Sequence, residues 1–469
     1  MRVLALLLVL GGVAHAADEF ELPPITRTVF DNGLRVVVAE QRELPLVGFY
    51  LLIGAGAAQD PAGDEGLAAL TAATLTRGTV EHSAEELAEK IESLGGSLQA
   101  SAGTDGTVVV GEFLAKDYVA GLDLLRQVMR EPALESDEVR RAREEQEAEI
   151  VAALERPATI ADVCFAGFLY GAHPYGRPVT GHVGSVTTLK RDDVYNFYAR
   201  FYRPNNAILV LVGRVEPQEA IDRLRQAFGT WEARPDAIPS RAGAPASVPR
   251  RRILLVDKPN ATQAQIRLGN VAMERANPDY LAATVGNTIL GGGFTSRLIE
   301  ELRVKRSLTY GAWSQFVARL TGGDFQLGTF TKNETTVETL GVTFDVLDGF
   351  RKAPPQAKEL EKARAYLRGQ FALKLERPED LAARLADVEF YGLPADELAT
   401  YRGRVAAVTS DQVEAVVRRY MAASDAVAVV VVGKADDIRV PLEVKYGPIV
   451  MTPAESCWTL YGPGDYPAL

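Results

Sequence analysis

The chain contains two copies of one sequence pattern, and this duplication limits its possible folds more than any other feature. Residues 66–75 recur as residues 280–289, and an apolar run closed by Val-Gly recurs at 207–213 and 426–433. The offset is 214 residues for the first pair of segments and 219 for the start of the second. A repeat of this length indicates a duplicated structural unit. We therefore expect two halves with the same fold.

The domain boundaries follow from composition. We predict a signal peptide at 1–16, an N-terminal half at 17–232, a linker at 233–249, a C-terminal half at 250–447 and a C-terminal tail at 448–469. The leader has a basic start, a short apolar run and an Ala-His-Ala end, which is typical of secretory signals. The linker is rich in Pro, Ala and Ser and lacks periodicity.

Export and solubility are the corresponding expectations for the mature protein. No run after the leader approaches the roughly 20 apolar residues of a membrane helix. We therefore predict a periplasmic or extracellular protein without a membrane span. The formal net charge of −11 argues against nucleic acid as a partner. Cys164 and Cys457 could pair in an oxidising compartment, but we favour two separate buried thiols and leave the pairing open.

Local patterns predict mixed secondary structure within each half. A capping box at 83–86 opens a helix, and Gly95-Gly96 ends it. Residues 97–114 alternate like a hairpin that turns at Asp105-Gly106, and a long charged helix is predicted over 136–154. Hairpins with neighbouring helices favour antiparallel sheets with helices on one face, an α+β architecture. Two such units per half would give four in all.

Three stretches carry a family resemblance. They are residues 168–178 with the later Tyr-Arg-Pro-Asn-Asn at 202–206, residues 66–79, and residues 290–298 leading into 301–310. Together they resemble the pitrilysin or insulinase family of zinc peptidases, which includes the mitochondrial processing peptidase. The likeness covers roughly residues 34–433. It implies duplicated halves of paired α+β domains that clasp a chamber around an unfolded peptide.

The metal-binding motif of that family is missing from the chain. Active members carry H-x-x-E-H on a helix, with two histidine ligands and a glutamate as general base. The matching positions here are Ala69, Ala72 and Ala73, and only Glu149 matches the third ligand. One carboxylate cannot hold a catalytic zinc that needs three protein ligands. We therefore predict no metal site and no cofactor in this chain.

The remaining histidines do not replace the motif. After signal removal they are His82, His173 and His182, and none has a companion at ligand spacing on a helix. We interpret all three as surface or loop residues. The triple glycine at 291–293 lacks the residues of a phosphate-binding loop, so we interpret it as a helix-ending loop that allows close backbone approach.

Another part of the family's active site is present. The resemblance implies that Arg303 and Tyr310, seven residues apart, reach across the chamber to the peptide held at the zinc. A guanidinium and a phenol can both donate hydrogen bonds to a carbonyl oxygen that gains negative charge. The alternative interpretation is an ordinary ion pair for Arg303 and partly buried packing for Tyr310.

The pattern of lost and retained residues predicts the function. Two-chain members of the family divide the zinc and the Arg/Tyr pair between two subunits. We expect this chain to be the non-catalytic, substrate-binding subunit of a heterodimeric zinc metalloendopeptidase, inactive alone, whose homologous partner carries the zinc. A non-enzymatic peptide-binding or assembly subunit is the alternative. An active peptidase with an unorthodox metal site is the third hypothesis.

Overall fold

The computed structural model describes residues 21–234, 238–239, 241–247 and 249–458. The predicted signal peptide and the end of the predicted tail lie outside the described residues. The first half contains strands β1 Ile25–Val29, β2 Arg35–Glu40, β3 Leu46–Ile53, β4 Ser97–Ala102, β5 Thr107–Leu114 and β6 Ala207–Gly213. The second half contains strands β7 Arg252–Asp257, β8 Gln263–Ala272, β9 Ala312–Ala318, β10 Gly323–Lys332, β11 Ala428–Gly433 and β12 Val450–Pro453.

Helices connect these strands in both halves. Those of the first half are α1 Leu67–Leu75, α2 Ala84–Ser93, α3 Tyr118–Arg130, α4 Ser136–Ala153, α5 Pro157–Tyr170, α6 Val183–Val186, α7 Arg191–Phe201 and α8 Pro217–Phe228. Those of the second half are α9 Tyr280–Leu290, α10 Thr336–Lys352, α11 Ala357–Leu373, α12 Pro378–Phe390, α13 Glu397–Ala407, α14 Ser410–Tyr420 and α15 Ala435–Tyr446. A π-helical turn, Ile299–Val304, precedes β9.

The duplication is visible in the strand order. The first sheet runs β1-β2-β6-β3-β5-β4, and the second runs β12-β7-β11-β8-β10-β9. Five strands correspond one to one in the two sheets. The outer strand does not, because β1 comes from the start of the first half and β12 from the predicted tail. The first sheet ends with β1 antiparallel to β2, whereas β12 runs parallel to β7.

The elements that were predicted from local sequence signals are present in the structure. The Ser83 hydroxyl accepts a hydrogen bond from Glu86 N, and the Glu86 carboxylate accepts one from Ser83 N, which caps α2. β4 and β5 pair across the predicted turn. The predicted face of α4 is buried at every position, namely Val139, Ala142, Gln146, Ile150 and Ala153. These predictions are confirmed.

Each sheet is covered on its second face by a helix from the other half. Helix α5 of the first half packs on β8 and β11, and α12 of the second half packs on β3 and β6. Glycines make room for both contacts. A Cβ at Gly269 of β8 would lie 3.0 Å from the Phe165 ring, and one at Gly48 of β3 would lie 3.0 Å from Glu379 N. The exchange of helices joins the halves through two buried apolar layers.

The α+β class and the two-halved organisation are confirmed, but three details differ. In the described part of the chain each half builds one six-stranded sheet, not two units. Both sheets are mixed, because β2 pairs with β6, and β7 with β11, in parallel. Helices cover both faces, not one. The sequence did contain a signal for helices on both faces. β6 and β11 are apolar almost throughout, which is typical of strands buried on both sides.

The two cysteines form a disulfide, so the expectation of separate thiols is wrong. Cys164 lies in α5, and Cys457 lies in a short turn after β12. Both segments pack on the same face of the second sheet. The residues are 293 positions apart in sequence, and only this shared layer brings them together.

Polar contacts also join the hairpin tips of the two halves. Leu320 N, between β9 and β10, donates to the Asp105 carboxylate at 3.0 Å, and Thr321 N donates to the hydroxyl of Tyr175, which itself donates to Asp105 at 2.8 Å. Arg241, within the predicted linker, donates to the backbone oxygens of Gly54 and Asp105. The described part of the linker is therefore bound to the first half.

Within the described residues, no helix is both long and apolar enough to cross a bilayer.

Candidate substrate-binding site

Helix α1 carries the three alanines that stand at the family's zinc-motif positions. Ala72 is buried, whereas Ala69 and Ala73 are half-buried. The start of α1 is held by Asp60, whose carboxylate accepts hydrogen bonds from Gly66 N and Ala68 N, each at 2.8 Å. The helix is intact and well anchored. At the three motif positions its side chains are methyl groups, which cannot bind a metal.

The carboxylate matched to the third ligand has no ligating companions. Glu149 is exposed on α4, which packs against α1. One turn earlier on α4, Glu145 forms an ion pair with Arg77. Across the described ranges, no three His, Cys, Asp or Glu side chains come together in a way that could hold a metal ion.

The three histidines lie in loops at helix starts. His173 Nδ1 accepts from Tyr175 N, and its Nε2 is 2.8 Å from Gly243 O. His182 Nδ1 accepts from Ser185 N and caps α6. Burial lowers the pKa of His182, although Glu65 lies 3.6 Å away. Two of the three thus have local structural roles, in agreement with the loop interpretation.

Arg303 and Tyr310 lie together at the mouth of a cleft of about 340 Å³. The guanidinium carbon of Arg303 is 4.7 Å from the centre of the Tyr310 ring. Tyr310 is 77% exposed, and Arg303 forms no ion pair with any described residue. Stacking on a ring leaves the in-plane N–H groups of a guanidinium available for hydrogen bonds. Both side chains can therefore donate to a molecule in the cleft.

The loop that carries Tyr310 is held by the end of β10. Thr331 Oγ1 donates to Leu308 O at 2.7 Å, and Thr329 Oγ1 donates to Gly311 O at 3.0 Å. Ser307, at φ +53°, adopts a left-handed conformation that is costly for an L-residue. The two threonine hydrogen bonds hold the loop backbone on both sides of Tyr310.

The acidic residue beside the cleft pairs with cations outside the cleft, so the cations that line the cleft stay unpaired among the described residues. On the π-helical turn, Glu301 is bound by Lys305 and Arg306, and hydrogen bonds from these two residues lower its pKa. Lys332, at the end of β10, also lines the cleft and has no carboxylate partner among the described residues. The cleft is therefore positively charged.

The structure places two groups of predicted residues in different halves. The three alanines lie on α1, which packs against α4 and α7, whereas the turn that carries Arg303 packs against α10 and β9. Sequence reasoning missed Lys332 and the two threonines that support the loop. The alternation of Thr329 and Thr331 in the sequence was an available but weak signal for a strand at this place.

The triple glycine has the role that the sequence indicated. Helix α9 ends at Leu290, directly before it. A Cβ at Gly291 would lie 2.6 Å from Ser314 N, so the backbone of β9 approaches too closely for a side chain. The prediction of a helix-ending loop with close backbone contact is confirmed.

This fold and site define a metallopeptidase-like protein whose own zinc motif is missing. Residues 35–180 match the insulinase family (peptidase family M16), and residues 188–367 match the peptidase M16 inactive domain. The chain belongs to peptidase family M16, as the resemblance implied.

Relatives and solved structures agree with this assignment. The chain is 28% identical over 397 residues to an uncharacterized zinc protease of Mycobacterium tuberculosis, covering 84% of this chain and 90% of the relative. It is 23% identical over 414 residues to the non-peptidase homolog YmxG of Helicobacter pylori, covering 86% and 92%. A crystal structure described as the peptidase M16 inactive domain from Pseudomonas fluorescens superposes with a TM-score of 0.83 at 28% identity, over 88% of this chain and 98% of the other. A Helicobacter pylori protease shares the fold, with a TM-score of 0.82 at 22% identity over 88% and 100%.

Proposed function

We propose that this chain is the zinc-less, substrate-binding subunit of a heterodimeric metallopeptidase. Arg303 and Tyr310 complete an active site whose zinc and general base lie on a homologous partner. One observation carries the proposal. The chain keeps an exposed Tyr310 beside a half-buried Arg303 that has no ion-pair partner in the described region, while alanines occupy the metal-binding positions.

The geometry supports a role for the pair in stabilising charge. The zinc of the partner would polarise the scissile carbonyl and activate water. The phenol of Tyr310 and the guanidinium of Arg303 would donate hydrogen bonds to the carbonyl oxygen as it becomes negative. The threonine contacts from β10 keep the loop in place, so little reorganisation is needed when peptide binds.

Export is part of the proposal. The Cys164–Cys457 disulfide supports it, because such bonds persist mainly in oxidising compartments outside the cytoplasm. N-terminal sequencing of the protein purified from its host should begin at Ala17. A mature protein that starts at Met1 would contradict the predicted leader.

The test of the proposed active site is reconstitution with the zinc-bearing partner. We expect Tyr310→Phe and Arg303→Ala each to reduce peptide turnover by about 10²–10³-fold, because each removes a donor to the developing oxyanion. The heterodimer should remain intact on size-exclusion chromatography. Arg306→Ala is the matched control, since Arg306 follows the π-helical turn that carries Arg303 and pairs with Glu301. Unchanged turnover in both variants would remove the pair from the mechanism.

A non-enzymatic peptide-binding or assembly subunit is the second candidate. The name of the Helicobacter pylori relative, a non-peptidase homolog, favours it. In that case the reconstituted complex would bind peptide but show no turnover with any homologous zinc-bearing chain.

A further inference from the structure

The cleft beside Arg303 and Tyr310 has an unusual charge for this protein. Its lining includes Gln263, Arg303, Ser307, Tyr310, Phe330 and Lys332. Two of its lining residues are cationic, and none of the described lining residues is acidic. The chain as a whole carries a formal net charge of −11. A positive cleft on an acidic protein concentrates anionic groups at that place.

Neither cation of the cleft is used to hold the fold. The nearby acids Glu300 and Glu301 face Lys305 and Arg306, and no carboxylate pairs with Arg303 in the described structure. The Lys332 side chain is exposed, while its backbone is fixed by pairing with Gln263 across the β8–β10 ladder. Such cations keep their full capacity to pair with a ligand.

The shape and polarity of the cleft match one small anionic group. Its volume of about 340 Å³ is enough for a side chain and too small for a folded partner. Arg303 offers planar donors, Lys332 offers a point charge, and the aromatic rings of Tyr310 and Phe330 can contact methylene groups. A planar carboxylate on a short aliphatic stem fits this arrangement.

We propose that the Arg303–Lys332 cleft binds a carboxylate of the peptide, either an Asp or Glu side chain or the C-terminal carboxylate. The inference rests on the proposed function in that it takes peptide as the ligand. It adds a specificity: substrates place an acidic group beside the residue whose carbonyl meets Tyr310 and Arg303.

The test is peptide binding to the purified, oxidised full chain without any zinc-bearing partner, measured by fluorescence anisotropy. Three labelled peptides share one sequence except at a single internal position and at the C-terminal group. The first has an internal Asp and an amidated C-terminus, the second has Asn with an amidated C-terminus, and the third has Asn with a free C-terminus. We expect at least one carboxylate peptide to bind about tenfold more tightly than the doubly neutral one. The first peptide reports a side-chain carboxylate and the third a terminal one.

Variants assign the preference to the cleft. Lys332→Gln and Arg303→Gln should each abolish most of it, Lys332→Arg should keep it, and Lys362→Gln, at an exposed lysine of α11, should leave it unchanged. Equal affinity for all three peptides would overturn the proposal. A preference that survives both cleft variants would also overturn it, because the carboxylate would then bind elsewhere. The carboxylate preference could be lost in the cleft variants while peptide turnover by the reconstituted heterodimer is unaffected by Tyr310→Phe. That combination would overturn the proposed function and support carboxylate binding in the cleft.

Discussion

At the scale of single residues, Asp60 explains how a helix of small side chains stays in place. Its two side-chain oxygens accept backbone hydrogen bonds at the start of α1, and it is almost fully buried. Burial raises the pKa of Asp60 to about 8, and the two backbone hydrogen bonds oppose this shift without cancelling it. The residue therefore links the stability of α1 to pH.

The sign of this linkage gives a prediction. The native state keeps the Asp60 proton up to about pH 8, whereas the unfolded chain releases it near pH 3.8. The contribution of Asp60 to stability is therefore complete below pH 3.8 and is lost as pH rises toward 8. We expect Asp60→Asn to flatten the fall in the free energy of unfolding between pH 5 and pH 8, measured by urea denaturation.

A control separates this effect from general surface charge. Asp192→Asn changes an exposed carboxylate on α7 and should leave the pH slope as in the wild type. Parallel slopes for wild type and Asp60→Asn would show that Asp60 is already ionised in the native state at pH 5.

At the scale of elements, the exchanged helices α5 and α12 are the main contacts that join the two halves. Phe165 of α5 is buried and lies over Gly269 of β8. The α5 layer also contains Ile160 and Phe168, packed on residues of β7 and β11. These contacts stabilise the second sheet with residues of the first half, so neither half has a complete core alone.

Truncation of the central aromatic residue of α5 measures this contribution. We expect Phe165→Ala to lower the free energy of unfolding by about 3–5 kcal/mol, because it removes a buried ring and leaves a cavity between helix and sheet. Denaturant titration of the whole chain gives the value. Val163→Ala, at a half-buried position of the same helix, should cost about 1 kcal/mol. Equal, small effects would mean that α5 is not anchored through Phe165.

At the scale of the whole molecule, the two halves are held by a covalent bond as well as by packing. The Cys164–Cys457 disulfide ties α5 of the first half to the end of the described chain. Strand β12 and the turn that carries Cys457 thereby complete the second sheet and its outer layer. The described part of the region that was predicted as a tail is therefore part of the folded second half.

Removal of the disulfide should destabilise the molecule without changing its fold. We expect the double variant Cys164→Ala/Cys457→Ala to lose about 2–5 kcal/mol of unfolding free energy, since the bond restricts the unfolded chain. Thermal unfolding with and without reductant should show the same loss in the wild type and none in the variant. A wild-type Tm that does not change when reductant is added would contradict a stabilising disulfide.

Much of the fold could be predicted from local patterns. The capping box of α2, the hairpin β4–β5 and the buried face of α4 depend on residues close in sequence, and each formed as expected. The number of sheets and the coverage of both faces could not be predicted in this way. They depend on where α5 and α12 pack, and amphipathicity does not specify which half a helix covers.

The features of the candidate site likewise fall into those that the sequence predicted and those that it did not. The sequence by itself determined the duplicated α+β halves, the absence of a zinc motif at Ala69, Ala72 and Ala73, and the Arg303/Tyr310 pair, because each is a matter of residue type and short spacing. Only the tertiary structure decided that Lys332 joins this pair in one cleft and that Cys164 meets Cys457. The physical reason is that the first depends on how β10 pairs with β9 and β8, and the second on packing between segments 293 residues apart, and residue type alone specifies neither.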